Sequence, residues 1–238
     1  MAQALFDHRA IDASPDRSGS IMKNLDQFRA TFSTPQQRMD KLVPRIEEAR
    51  SKLSALEPEE IVERSGCVLD ADGRYRLDFT GRAYTIDQSF VVRRADNGDE
   101  AAAFIQSIIL MFLATADGTP PIEHWISFHE LPDGTFYEQA FRGYSGEELT
   151  RGLQGDLETF KRAALQLQGD PIELGDAAFA FRILPRLRLA VVMYAGDEDF
   201  PAQARVLFEA TAPHYLATDG LAILGGQLIG QIIKAARA

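Results

Sequence analysis

The chain has 238 residues and carries 25 basic against 35 acidic side chains, a formal charge of −10. That balance argues against a nucleic-acid partner, whose phosphates need a basic face, and against an anionic membrane surface. One cysteine, Cys67, excludes an internal disulfide and leaves no ligand set for an iron–sulfur cluster or a zinc ribbon. The apolar run from Phe104 to Ala116 contains Gln106 and Ser107 and falls short of the ~20 residues that span a bilayer. The stretch from Leu221 to Ala236 is interrupted by Gln227 and Gln231, so no membrane insertion is expected. The first residues lack the basic-then-apolar design of a targeting signal, and a cytoplasmic location is the expectation.

Residues 1–20 mix charged and small residues, Ser18-Gly19-Ser20 among them, and read as a flexible leader. Met22 offers an alternative start. Residues 21–64 read as an N-terminal helical region, with Leu25, Phe28 and Phe32 on one face. Ser33-Thr34-Pro35 is a helix-start signal, Pro44 should kink or split the helix that follows, and Glu57-Pro58-Glu59-Glu60 opens another. Residues 65–238 read as a single α+β domain. Asp72-Gly73 is a hairpin signal between Cys67-Val68-Leu69 and Tyr75 to Phe79. Arg82 to Ile86 and Phe90 to Val92 are further strand candidates. Asp96-Asn97-Gly98-Asp99 should cap an apolar helix from about Ala101 to Ala114, which belongs in the core.

Ile122 to Glu130 alternates as a strand, and helices are expected at Tyr137 to Phe141, Ser145 to Leu153 and Asp156 to Leu167. Ala177 to Ile183 and Leu187 to Tyr194 look like a strand pair around Pro185. A helix is expected from Ala202 to Ala210, and helices close the chain, with Gly225, Gly226 and Gly230 suggesting close packing. Strands clustered between helices argue for α+β, with a mixed or antiparallel sheet packed by helices and an N-terminal helical extension.

Three groups of residues could carry chemistry. The run Asp197-Glu198-Asp199 precedes Phe200-Pro201, so it is a helix start satisfying orphan donors, a salt-bridge partner of arginines, or a site at a strand end that holds a hard cation, a cationic ligand group or a proton for acid/base work. Arg186 and Arg188, alternating on a strand, either pair with carboxylates or clamp an anion, and Arg82 could join them. His124 and His129 fall on opposite faces of the expected strand, so they form no local metal pair. His129 and His214 could meet the acid run only if the fold brings them together. Ser145 is expected to cap a helix, and Cys67 to be a small buried hydrophobe. The phosphate-binding loops and serine-nucleophile motifs are absent from the sequence.

Phe79-Thr80-Gly81-Arg82-Ala83-Tyr84, Trp125 through Gly134 with Tyr137, Gly175-Asp176-Ala177, and Leu184-Pro185 through Gly196-Asp197-Glu198-Asp199-Phe200-Pro201-Ala202 to Tyr215-Leu216 resemble, in order and spacing, the Domain of Unknown Function 3786 family. The resemblance covers roughly residues 57–236. It implies no established activity. Some similar proteins carry an iron–sulfur domain beside this one, which implies a partner in redox or cofactor metabolism. The chain departs from the pattern at Ala83 and Glu209, where an acid and an Asp are expected.

Three functions follow as expectations. The first is a binding or accessory protein for an anionic, partly aromatic ligand or cofactor such as a tetrapyrrole, held by Arg82, Arg186 and Arg188 with Trp125, Tyr137 and Tyr194 on the walls. The second is an enzyme using Asp197, Glu198 or Asp199 as acid/base or metal site, with His129 or His214 and a divalent metal. The third is a protein-interaction domain, which would expose a large apolar patch.

Overall fold

The computed structural model describes residues 35–238, with side chains from Leu42 onward. The expected leader and the Leu25–Phe28–Phe32 face lie outside the described residues. The compact unit runs from Leu42 to Ala238 and has an α+β fold built on two antiparallel sheets.

Helix α1 (Pro35–Leu53) passes through Pro44 as one helix, against the expected kink or split. Pro44 is exposed, and the helix continues through it. Ile46, Ala49 and Leu53 form the buried stripe of α1. Helix α2 (Pro58–Ser65) starts with its proline in the first turn and Glu59 and Glu60 beside the positive end of the dipole. The first sheet is a meander of β1 (Val68–Leu69), β2 (Tyr75–Phe79), β3 (Arg82–Ile86) and β4 (Val92–Arg94). Tyr75, Leu77 and Phe79 point inward and Arg76 and Asp78 outward, the period-two pattern of a half-buried strand. Cys67 is buried, as expected, and burial pushes its thiol pKa up.

Helix α3 (Ala103–Thr115) is apolar on nearly every side and lies in the core. The 96–99 loop does not cap it. Asp96 instead pairs with Arg94, and Asn97 bonds Asp99 within the loop.

The second sheet has the order β5-β9-β8-β7-β6, from β5 (Trp125–Ser127), β6 (Asp170–Pro171), β7 (Ala177–Leu184), β8 (Leu187–Tyr194) and β9 (Gln203–Glu209). Two expectations fail here. The segment expected as a helix from Ala202 to Ala210 is strand β9, with Val206 and Phe208 buried in alternation. Six residues of β9, Gln203 to Phe208, pair with β8, and that ladder outweighs the weak helical preference of a seven-residue segment. The strand expected to run to Glu130 stops at Ser127, because Ser127 and Glu130 form a capping box that closes Phe128–Glu130 as a 3-10 turn.

Four helices complete the fold: α4 (Glu138–Tyr144), α5 (Gly146–Leu153), α6 (Leu157–Gln166) and α7 (Thr218–Ala236). Asp156 caps α6 through the amides of Glu158 and Thr159. Ser145 precedes α5 but does not cap it, since its hydroxyl turns back to Phe141 O at 2.5 Å. One face of the second sheet packs on these helices: Phe160 meets Phe179 edge-on, and Phe208 meets Phe128 and Phe141. Gly225 and Gly226 of α7 admit the rings of Phe141 and Tyr144, whereas Gly230 faces open space.

Candidate functional site

Cross-strand partners share a face of a sheet, and so do residues two apart on one strand. Phe181, Leu189, Phe208 and Ile126 stand in one row facing the helices. The opposite face then carries Arg182 of β7, Arg188 of β8, Arg205 of β9 and Trp125 of β5. Arg182 and Arg188 are direct cross-strand partners. Like charges so placed repel unless an anion offsets them. Arg188 is partly offset: Glu123 and Asp170 lie 3.8 and 3.6 Å away, and its guanidinium sits over the Trp125 ring at 5.9 Å. The floor between is made of the small buried side chains Ala180 and Ala190. Arg182 is exposed and makes no ion pair among the described residues.

Arg182 also lines a cleft of about 610 Å³ between the two sheets. Its other walls include Arg76 and Asp78 of β2, Ala83 of β3, Gly66 and Pro185. The backbone joins the sheets beside it, where Thr80 N donates to Ile183 O at 2.9 Å. Arg76, like Arg182, has no ionic partner among the described residues. The cleft lining thus carries two guanidiniums, Arg76 and Arg182, and two carboxylates, Asp70 and Asp78, and neither arginine forms an ion pair with either acid.

Arg186 is placed differently from its expected role. It sits in the β7–β8 turn, lies over Gly66, and donates from Nη1 to Gly118 O at 2.8 Å. It holds three segments together rather than facing the cleft as a free clamp. Beside it, Tyr215 is fully buried and donates its hydroxyl to Thr119 O; burial pushes its pKa up. The fully buried Glu209 carboxylate accepts from Ile122 N at 2.8 Å, from Thr211 N at 2.9 Å and from the Thr211 hydroxyl. In the same group of loops, His214 Nδ1 meets Asp117 Oδ2 at 2.6 Å and the Thr119 hydroxyl at 3.2 Å. Desolvation raises the Asp117 pKa, but the bonds from His214 and Thr119 together outweigh it and hold it at about 2.

The expected residues are thus divided. Trp125 and Arg188 are in contact, and Arg182 stands beside them. Arg82 is exposed at the start of β3, next to the cleft residue Ala83. Tyr194 shares the face but lies six residues along β8 from Arg188, about 20 Å at strand rise. Tyr137 is exposed at the start of α4.

Asp197, Glu198 and Asp199 occupy the exposed loop between β8 and β9. Asp197 neither caps a helix nor faces a strand-end cleft: its Oδ1 accepts from Asp199 N and Phe200 N at 2.9 and 2.7 Å and closes the loop on itself. The loop and His214 lie at opposite ends of β9, roughly 20 Å apart. His129 bonds Ser127 Oγ at 2.8 Å within its own turn. The two histidines and the acid run therefore do not assemble. Among the described residues no cluster of three metal-ligating side chains occurs.

A family model described as "Domain of unknown function (DUF3786)" matches residues 57–231. The chain belongs to this family. The match runs from Glu57, which precedes α2, to Gln231 in α7, so both sheets and the cleft lie within it. No curated protein matches the chain, and no solved structure matches it. Among the described residues no helix is long and apolar enough to cross a membrane.

Sequence reasoning missed Arg76, Asp117 and Thr119. Arg76 alternates outward in a strand that was recognised, and that was the available signal. Asp117 and Thr119 sit about a hundred residues from His214, and no local pattern joins them.

Proposed function

We propose that this protein binds an anionic ligand with a planar aromatic body, such as a carboxylated tetrapyrrole, at the inter-sheet cleft and the adjoining Arg188–Trp125 face. The observation that carries this reading is that Arg76 and Arg182, which have no ionic partner among the described residues, line one cleft of about 610 Å³ together with Asp70 and Asp78. Acidic groups of the ligand meet Arg76 and Arg182, with Arg82 at the rim. The aromatic body lies towards Arg188 and Trp125, where the ring face and the guanidinium plane offer a flat surface. The cleft volume falls in the range usual for small-molecule sites.

Trp125 is the single tryptophan of the chain, so its fluorescence reports on this face directly. Titration with coproporphyrin should quench it saturably. Arg182→Gln and Arg188→Gln should each weaken binding by about tenfold, the loss of one charge-assisted contact. Absence of saturable quenching, or wild-type affinity in both variants, would overturn the reading.

A second reading, acid–base chemistry, is favoured by the Asp117–His214 contact. A carboxylate that holds Nδ1 orients an imidazole and leaves Nε2 for proton transfer. On this reading His214→Gln stops turnover of the bound ligand and leaves the Trp125 quench unchanged. Unaltered turnover in that variant removes the reading.

A further inference from the structure

We infer a second ligand site, independent of the inter-sheet cleft: a cavity between α4, α5 and the start of β9 that takes a small, multiply charged oxyanion. The cavity holds about 450 Å³ and is lined by Arg142, Arg151 and Arg205, with Glu147 as the one carboxylate. Thr150, Gln154 and Gln203 add neutral hydrogen-bonding groups to its wall. Glu147, Thr150 and Arg151 follow the i, i+3, i+4 spacing on one face of α5, and Gln154 follows at its C-terminal cap. β5 pairs only with Leu207, Phe208 and Glu209, so α5 rather than a strand flanks β9 at Ala204.

Two glycines build the cavity. At Gly146 a Cβ would lie 2.0 Å from Ala204 O, so only glycine lets the first turn of α5 approach the β9 backbone this closely. At Gly155, where φ is +76°, a Cβ would lie 2.8 Å from the Ala202 side chain. Both ends of α5 are thereby pinned to the beginning of β9, at the sheet edge where Arg205 also lines the cavity.

The charges are incompletely matched. Arg205 is exposed and has no ionic partner among the described residues. Arg142 reaches Glu147 only at 3.9 Å, while Arg151 is held by Glu148 at 2.5 Å. With Arg151 matched by Glu148 and Arg142 loosely by Glu147, Arg205 leaves the cavity lining with an excess positive charge, and guanidinium geometry fits phosphate or carboxylate oxygens. The acidic loop at 197–199 and the net charge of −10 disfavour a long polyanion, so the ligand is a small free molecule bearing phosphate or several carboxylates.

Isothermal titration of the full chain with inorganic pyrophosphate, and separately with citrate, tests this. One molecule should bind per chain, at about millimolar affinity or tighter. Arg205→Gln, an exposed substitution that leaves the melting temperature unchanged, should weaken binding by about tenfold, and Arg151→Gln by a similar factor. Arg182→Gln, in the inter-sheet cleft, should alter it by less than about twofold. A preference for pyrophosphate assigns a phosphate ester, and a preference for citrate a polycarboxylate. No saturable heat with either probe, unchanged affinity in Arg205→Gln, or an equal loss in Arg182→Gln would overturn the inference. Failure of coproporphyrin binding leaves this test unaffected, because the two cavities have no lining residue in common.

Discussion

The two ends of the β8–β9 hairpin form a contrast. At one end, three consecutive acids stand in a solvent-exposed loop, and Asp197 satisfies amides only two and three residues away. At the other, single polar residues from distant segments converge: Arg186 on Gly118, Tyr215 on Thr119, Glu209 on Ile122 and Thr211, His214 on Asp117. The charge-dense end is locally closed. The charge-sparse end ties the chain together across roughly ninety residues. Density of charge in a sequence marks a solvated turn as readily as a site, whereas a buried polar group must find partners and so reports long-range structure.

Unequal energies at the two ends are the direct way to test this contrast. Glu209→Ala removes a fully buried carboxylate and strands the amides of Ile122 and Thr211. It should lower unfolding free energy by about 3 kcal/mol, read as a shift of the urea midpoint at constant slope. A loss below about 1 kcal/mol would erase the distinction. At the acidic end, Asp197→Ala should cost no more than about 1 kcal/mol, and Asp197→Asn, which keeps the accepting oxygen, should cost less still.

The smallest effect is pH-dependent. The folded-state pKa of Asp117, about 2, lies below its ordinary 3.8. Its stabilising contribution is therefore complete above about pH 3.8 and is lost as pH falls through 2. Because Asp117 is about half exposed, that contribution is small. Asp117→Asn should flatten this part of the acid limb in a plot of melting temperature against pH, and an unchanged limb would place the titration elsewhere.

The strands β2, β7 and β8 were legible because each alternates or runs apolar between turn residues. So was α3, whose apolar surface leaves it only the core. Segment 202–210 misled because Val206, Leu207 and Phe208 admit either period in a short window, and Pro201 resembles a first-turn proline. Pairing with β8 decided it. The strand reading of 122–130 overran for a related reason: Ser127 and Glu130 form a capping box that alternation alone does not reveal. Within the candidate site, Trp125 and Arg188 were legible as residue types on strands. Their contact was not, because β9 lies between their strands and the sheet order places them.

The sequence alone determined the α+β class, the absence of an internal disulfide, the acidic balance and the family motifs from Phe79 to Leu216. These depend on composition, local periodicity and short spacing. Only the tertiary structure decided that the acid run closes a hairpin, that Arg186 braces loops while Arg76 and Arg182 have no ionic partner among the described residues, and that Asp117 meets His214. Those outcomes depend on which distant backbones approach one another, and local spacing carries no record of that.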